Sequence, residues 1–157
     1  MKFRELFQKV GLTKVKIKLG FSELEWEPKD PDREAAWELY VEMLTRIASQ
    51  PLAENWGDER VALESIYSLF PTTREILRRK GRNCIEFSKI AVPVLNQVVR
   101  PFTAKWHRLS LSGAFGDSDR CMEFRADLTE LQTDLRNYTR LLATLAEVED
   151  LTDLEGD

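Results

Sequence analysis

Hydrophobic and polar residues follow two different periods along this chain, and the two periods predict different secondary structure. A spacing of three and four, typical of helices, covers most of the sequence. It begins with Phe3, Leu6, Phe7 and Val10, which predict a short amphipathic helix that stops at Gly11. A period of two follows directly, in residues 14–19 and 22–27, and predicts a β-hairpin.

The hairpin prediction includes a definite register. Gly20 and Phe21 form a two-residue loop, in which Gly20 takes the positive φ of a type II′ turn. This register places three lysines opposite three glutamates, Lys18 with Glu23, Lys16 with Glu25 and Lys14 with Glu27. The other face carries Trp26 and must pack on the helices or on another chain, because an isolated hairpin is marginal in water.

Helix boundaries are predicted from capping residues and prolines. Asp30 and Pro31 begin a helix that runs to Pro51, with Trp37, Tyr40, Leu44 and Ile47 on its buried face. Asp58 begins a second, in which Tyr67 and Phe70 are buried and which Pro71 ends. A capping box of Thr72 and Glu75 then begins a short helix, 73–80, that Gly81 closes.

The second half of the chain contains the two longest helical patterns. The stripe of residues 91, 95, 98, 102, 106 and 109 stays in phase across Pro101, which favours one kinked, continuous helix over two. After a cap at Asp117, eight a and d positions repeat without a fault from Cys121 to Leu145. Such a stripe is a seam within a bundle or a dimer coil, and we favour the bundle.

These patterns predict a mainly α protein, a bundle of about four to five helices with a small N-terminal β-hairpin. We expect an N-terminal arm at 1–29, the bundle at 30–147 and a frayed acidic tail at 148–157. The chain has 157 residues, 43% of them hydrophobic and 32% charged, so it can form a core and a soluble surface.

Charge and cysteine content narrow the setting. The net charge is −4, yet the first twenty residues hold six lysines and arginines against the single Glu5. That basic start could meet nucleic acid, a membrane surface or the acidic tail, or simply aid solubility. Cys84 and Cys121 stand alone, and the chain shows neither a signal-peptide core nor a membrane span, which predicts a cytoplasmic protein.

Candidate chemistry is sparse. His107 is the one histidine, and no pattern supplies the nucleophile and orienting acid that a catalytic triad requires, although a pocket bringing Ser110 or an acid to it would change this. One histidine and two unpaired cysteines form no standard metal site. We therefore predict no catalytic residues, no metal and no cofactor, and interpret His107 as an ordinary helix residue.

Basic residues suggest two contact surfaces. Arg74, Arg78, Arg79, Lys80 and Arg82 follow a helix-turn-helix-like arrangement that could bind DNA, but cations also favour the last turn of any helix. Lys14, Lys16 and Lys18 would form a second surface if the hairpin glutamates did not pair with them. These residues, with Trp26 and His107, are the candidate interaction residues.

Three segments, 35–40 (AAWELY), 69–75 (LFPTTRE) and 100–107 (RPFTAKWH), resemble a group of small, uncharacterised bacterial helical proteins without known activity. The resemblance covers most of the chain and implies a bacterial, cytosolic accessory protein, such as a subunit of a defence system. We therefore expect a non-catalytic adaptor subunit that binds a protein partner or forms a homo-oligomer. The alternative is a nucleic-acid-binding protein that uses the basic run from Arg74 to Arg82.

Overall fold

A computed structural model describes residues 1–16, 23–46 and 48–154, and these are mainly helical. The helices are α1 (Phe3–Lys9), α2 (Asp30–Leu44), α3 (Glu59–Tyr67), α4 (Leu69–Lys80), α5 (Ile85–Val94), α6 (Arg100–Leu111) and α7 (Ser118–Ala146). A π-helical segment, Leu95–Val99, joins α5 to α6, and 3₁₀ turns lie at Gly81–Cys84 and Ala114–Gly116. The predicted helical class is confirmed.

The longest helix, α7, lies along α2 in the opposite direction. Arg33 near the start of α2 pairs with Glu147 just after α7, whereas the Ser49 carbonyl beyond α2 accepts from Arg136. The predicted heptad stripe is buried by the chain itself from Phe124 to Leu145, and Cys121 at its start is partly buried. The interpretation of this stripe as a bundle seam is therefore confirmed.

The helix across Pro93 and Pro101 is continuous, as its periodicity predicted. Leu95 and Arg100, at the two junctions, both keep right-handed helical dihedral angles. Pro101 has no N–H to donate, and just before it the Arg100 N–H bonds to the Leu95 carbonyl, five residues earlier. The π-helical segment thus takes up the irregularity without breaking the helix.

Two helix boundaries differ from the predictions. The helix predicted from Asp30 to Pro51 ends at Leu44, because the side chains of Ser49 and Gln50 cap the last carbonyls, those of Met43 and Leu44. Ile47 lies outside the described residues. Pro71 does not end α3, since it sits in the first turn of α4, where no N–H is needed. The capping box of Thr72 with Glu75 is therefore wrong, while Asp58, Asp117 and Gly81 flank helices as predicted.

The predicted β-hairpin is not seen. Its turn at Gly20 and Phe21 lies, with Lys18, in 17–22 and so outside the described residues, and 14–16 and 23–27 form no strand. Instead, Lys2 and Glu25 form an isolated antiparallel bridge, where the Phe3 N–H bonds to Leu24 and the Trp26 N–H to Met1. In the described part of the chain, the backbone partner of Glu25 is therefore Lys2 and not the predicted Lys16.

The predicted ion pairs change with this rearrangement. Lys14 pairs with Glu130 and Asp134 on α7, not with Glu27. Glu25 binds the terminal amine of Met1, and Glu23 binds Lys2 and Arg4. An alternating row of charges selects no unique partner, because an exposed ion pair contributes only about 0–1 kcal/mol.

The start of the acidic tail, 148–154, contacts the helices, although the sequence predicted a frayed segment there. The Tyr40 hydroxyl donates to the Glu149 carbonyl and accepts from the Leu151 N–H. Arg140 pairs with Asp153. Residues 155–157 lie outside the described residues.

Candidate functional surfaces

His107 does not stand in a catalytic arrangement. Its ring lies edge-on to that of Tyr67, with the centroids 5.1 Å apart. The Ser110 hydroxyl donates to the main-chain carbonyl of His107 at 2.8 Å and so does not engage the imidazole. No ion pair joins a carboxylate to His107 among the residues that the structure describes, and a charge-relay constellation has no support there.

The two cysteines are held as thiols. The Cys84 Sγ donates to the Gly81 carbonyl, and the Cys121 Sγ to the Phe115 carbonyl. Burial raises the pKa of both thiols, which disfavours the nucleophilic thiolate. Within 1–16, 23–46 and 48–154, no cluster of three metal-binding side chains occurs.

The basic run divides into two groups with different surroundings. Arg79 donates through both terminal nitrogens to the Glu38 carboxylate, and Lys80 contacts Glu34 at 2.6 Å and Glu38 at 3.4 Å. These contacts tie the end of α4 to α2. Arg79 and Lys80 therefore have an internal structural role and are poorly placed to hold an external anion.

Arg74, Arg78 and Arg82 form the second group and are exposed. None of them has an ion pair within the described part of the chain. Arg74 lies over the ring of Phe70, 5.8 Å from its centroid, and Arg100 lies 4.7 Å from the same centroid. Sequence analysis missed Arg100, because it meets the Phe70 ring of α4 only in the folded chain.

A cleft of about 150 Å³ opens beside these two arginines, between α4 and the continuous α5–α6 helix. Its apolar walls are Phe70, Leu77, Val92 and Leu95. Its polar lining comprises Thr73, Arg74, Asn96 and Arg100. The Thr73 hydroxyl is buried and has no hydrogen-bond partner among the residues that the structure describes.

Among the lysines of the predicted hairpin, Lys14 is engaged in ion pairs and is therefore not a free cation. Lys14 lines a larger cleft of about 280 Å³ with Lys105 and three acidic residues, Asp127, Glu130 and Asp134. Lys105 contacts Asp127 at 2.7 Å, so the charges in this cleft largely neutralise one another. The Lys16 N–H donates to Gln97 Oε1, and Gln97 Nε2 donates to the Lys16 carbonyl. Trp26 packs edge-on against Phe3 and is only partly exposed.

A further aromatic residue, Trp56, was not singled out by sequence analysis. It is 93% exposed, in the loop before α3. Arg125 on α7 fixes this loop, since its guanidinium donates to the carbonyls of Ala53 and Gly57 and to the Glu59 carboxylate. The packing at Gly57 is close, because a Cβ atom there would overlap the Leu52 side chain and the Ala53 carbonyl.

Comparisons with known proteins found no matching family model, curated protein or solved structure. In the described part of the chain, no helix combines the length and the apolar character needed to cross a membrane.

Proposed function

We propose that this protein is a non-catalytic interaction subunit that binds a partner protein through the loop carrying Trp56. The expected setting is an assembly in the bacterial cytoplasm, in line with the resemblance and the unpaired cysteines described above. A defence system is one such assembly. The observation that carries the proposal is a tryptophan that is 93% exposed on a loop fixed by the hydrogen bonds of Arg125.

The energetics of interfaces support this interpretation. An exposed aromatic ring of this size gains much by burial, and tryptophans are enriched among the residues that dominate binding energy. Fixing the loop in advance lowers the entropy lost on binding. Arg125 provides that fixation through three contacts at 2.9–3.1 Å.

The test begins with capture of partners by the tagged protein from its native host, with and without nuclease. A partner that survives nuclease is then purified and its affinity measured against variants. Trp56→Ala should weaken binding about 30-fold or more without lowering the melting temperature, because the ring touches little in the free protein. Leu111→Ala, at a side chain that is 90% exposed, is the matched control for loss of exposed apolar area.

A second variant separates the ring from the shape of its loop. Gly57→Ala keeps the Trp56 side chain but changes the shape of its loop, because the new Cβ atom would overlap the Leu52 side chain and the Ala53 carbonyl. We expect it to weaken binding as well. Unchanged affinity in both Trp56→Ala and Gly57→Ala would exclude this loop as the interface.

Nucleic-acid binding is the second candidate, and the three unpaired cations of Arg74, Arg78 and Arg82 favour it. The engagement of Arg79 and Lys80 with α2 leaves fewer cations for phosphate than the basic run suggested. Affinity for DNA or RNA should therefore depend only weakly on salt. For three phosphate contacts, the slope of log K against log salt concentration should be about −3 or shallower. Absence of binding at about 50 mM salt would exclude this function, since phosphate contacts are strongest at low salt.

A further inference from the structure

We propose that the cleft between α4 and the α5–α6 helix binds a carboxylate carried by a small apolar group, with Arg74 and Arg100 holding the carboxylate. This site uses residues other than those around Trp56, and it stands independently of the function proposed there. The carboxylate would belong to a free organic acid or to the C-terminal residue of a polypeptide.

The first argument is the charge around Phe70. Two guanidinium groups lie over one ring, at 4.7 and 5.8 Å from its centroid. Both positive groups line the same cleft and therefore repel each other, and neither arginine has a carboxylate partner among the described residues. Arg100 bonds Asn96 through Nε and Nη2, which leaves Nη1 for a ligand. An anion between the two arginines would relieve their repulsion and accept hydrogen bonds from both.

The second argument is the unsatisfied hydroxyl of Thr73, which lines the same cleft. Threonines elsewhere in the helices donate to the carbonyl four residues earlier, as Thr129, Thr133 and Thr139 do. The Thr73 hydroxyl makes no such bond, although its side chain is 1% exposed. A buried polar group without a partner is unusual in proteins. The Thr73 oxygen exposes less than 1 Å², so a ligand oxygen would satisfy it only after the side chain rotates toward the cleft.

The third argument is the apolar wall, which selects the kind of anion. A volume of about 150 Å³ can hold a group as large as a benzene ring. Leu77, Val92 and Leu95 offer such a group apolar contacts and offer no hydrogen bonds to a hydrated phosphate. A free amino acid is disfavoured too, because its ammonium group would meet the two arginines. The fitting ligand has one carboxylate, an aliphatic or aromatic group, and no adjacent positive charge.

Binding is tested by titrating the full chain with 3-phenylpropanoate and with an acetylated tripeptide that ends in leucine. The uncharged amide of each compound is its matched control. We expect at least one acid to bind with a Kd of about 1 mM or tighter, and at least tenfold more tightly than its amide. The tighter of the two acids identifies the source of the carboxylate, and either result supports the site.

Variants assign the site to these residues. Arg74→Gln and Arg100→Gln should each weaken binding of the acid at least tenfold, whereas Arg82→Gln, which does not line the cleft, should leave it unchanged. Val92→Phe fills the apolar part and should abolish binding while both arginines remain. Circular dichroism confirms that each variant is folded, which the exposed positions of Arg74, Arg100 and Val92 favour.

Three results would overturn the proposal. The first is equal affinity for an acid and its amide, which would show that the arginines do not hold the carboxylate. The second is that inorganic phosphate binds as tightly as the acids, which would show that the apolar wall does not select the ligand. The third is that neither acid binds to the folded protein at about 10 mM, a concentration well above the expected Kd.

Discussion

Single buried polar atoms in this protein are satisfied to different degrees, and Thr73 allows a sharp test. A buried hydroxyl without a partner costs about 1–3 kcal/mol. Thr73→Val removes that hydroxyl and keeps a β-branched side chain of similar size. We expect the free protein to become more stable by about 1 kcal/mol, which corresponds to a rise in melting temperature of about 2–4 °C.

Thr139→Val is the matched control for that substitution. Thr139 is also fully buried on a helix, but its hydroxyl donates to the Leu135 carbonyl at 2.7 Å. Removing a satisfied hydroxyl should give no comparable gain in stability. A melting temperature for Thr73→Val that falls below that of the wild type would show that the Thr73 hydroxyl is hydrated in solution.

At this scale the sequence predicts helix faces better than it predicts the exposure of particular aromatics. The heptad positions of α7 were predicted to be core, and all of them except the partly buried Cys121 are buried. Trp37 and Tyr67 were predicted to be buried by the same spacing, yet they are 47% and 45% exposed. A helical period locates the apolar stripe, but the width of that stripe depends on which neighbouring helices cover it.

Elements are positioned by contacts that sequence patterns did not supply. The aspartates before α3 and α7 could be predicted as caps because capping is local. The end of α4 is instead fixed by Glu34 and Glu38, more than forty residues away. Its cations were candidates for contact with an external partner, and two of them instead bind carboxylates of α2.

The contact between α2 and α4 should make stability depend on pH. Burial raises the pKa of Glu38, but hydrogen bonds and charges from Arg79 and Lys80 outweigh it and hold the pKa below its ordinary value of 4.5. A carboxylate with a lowered pKa in the folded state stabilises that state above its ordinary pKa. This stabilisation is lost as the pH falls through the lowered value.

Glu38→Gln removes the titrating group and should therefore reduce stability at neutral pH. The difference in melting temperature from the wild type should narrow as the pH is lowered from about 7 to about 3. Glu54→Gln, at an exposed carboxylate with no ion pair in the described part of the chain, is the control and should show no such trend. A constant difference across the titration would mean that the Glu38 charge does not stabilise the fold.

Across the whole molecule, the predicted class was correct and the long-range pairing was not. Lys14 was paired with a neighbouring strand, whereas its partners Glu130 and Asp134 lie on α7. Local periodicity carries no information about which distant segment covers a face, since many pairings bury similar areas. For the same reason the cleft beside Arg74 and Arg100 could not be predicted, because its walls come from segments that meet only in the folded chain.

The last prediction concerns whether the core formed by α7 belongs to a single chain. Leu131, on the heptad stripe, is 6% exposed with no second chain present, so the bundle itself covers it. Leu131→Ala should destabilise the protein by about 2–5 kcal/mol, because the lost methyl groups leave a cavity that the neighbouring helices fill only in part. The loss should be the same at every protein concentration, since unfolding of a monomer does not involve association. Denaturant unfolding and sedimentation of the wild type and the variant over a dilution series measure both quantities. If the wild type dissociates on dilution and loses stability as it does so, the stripe also serves an interface between chains.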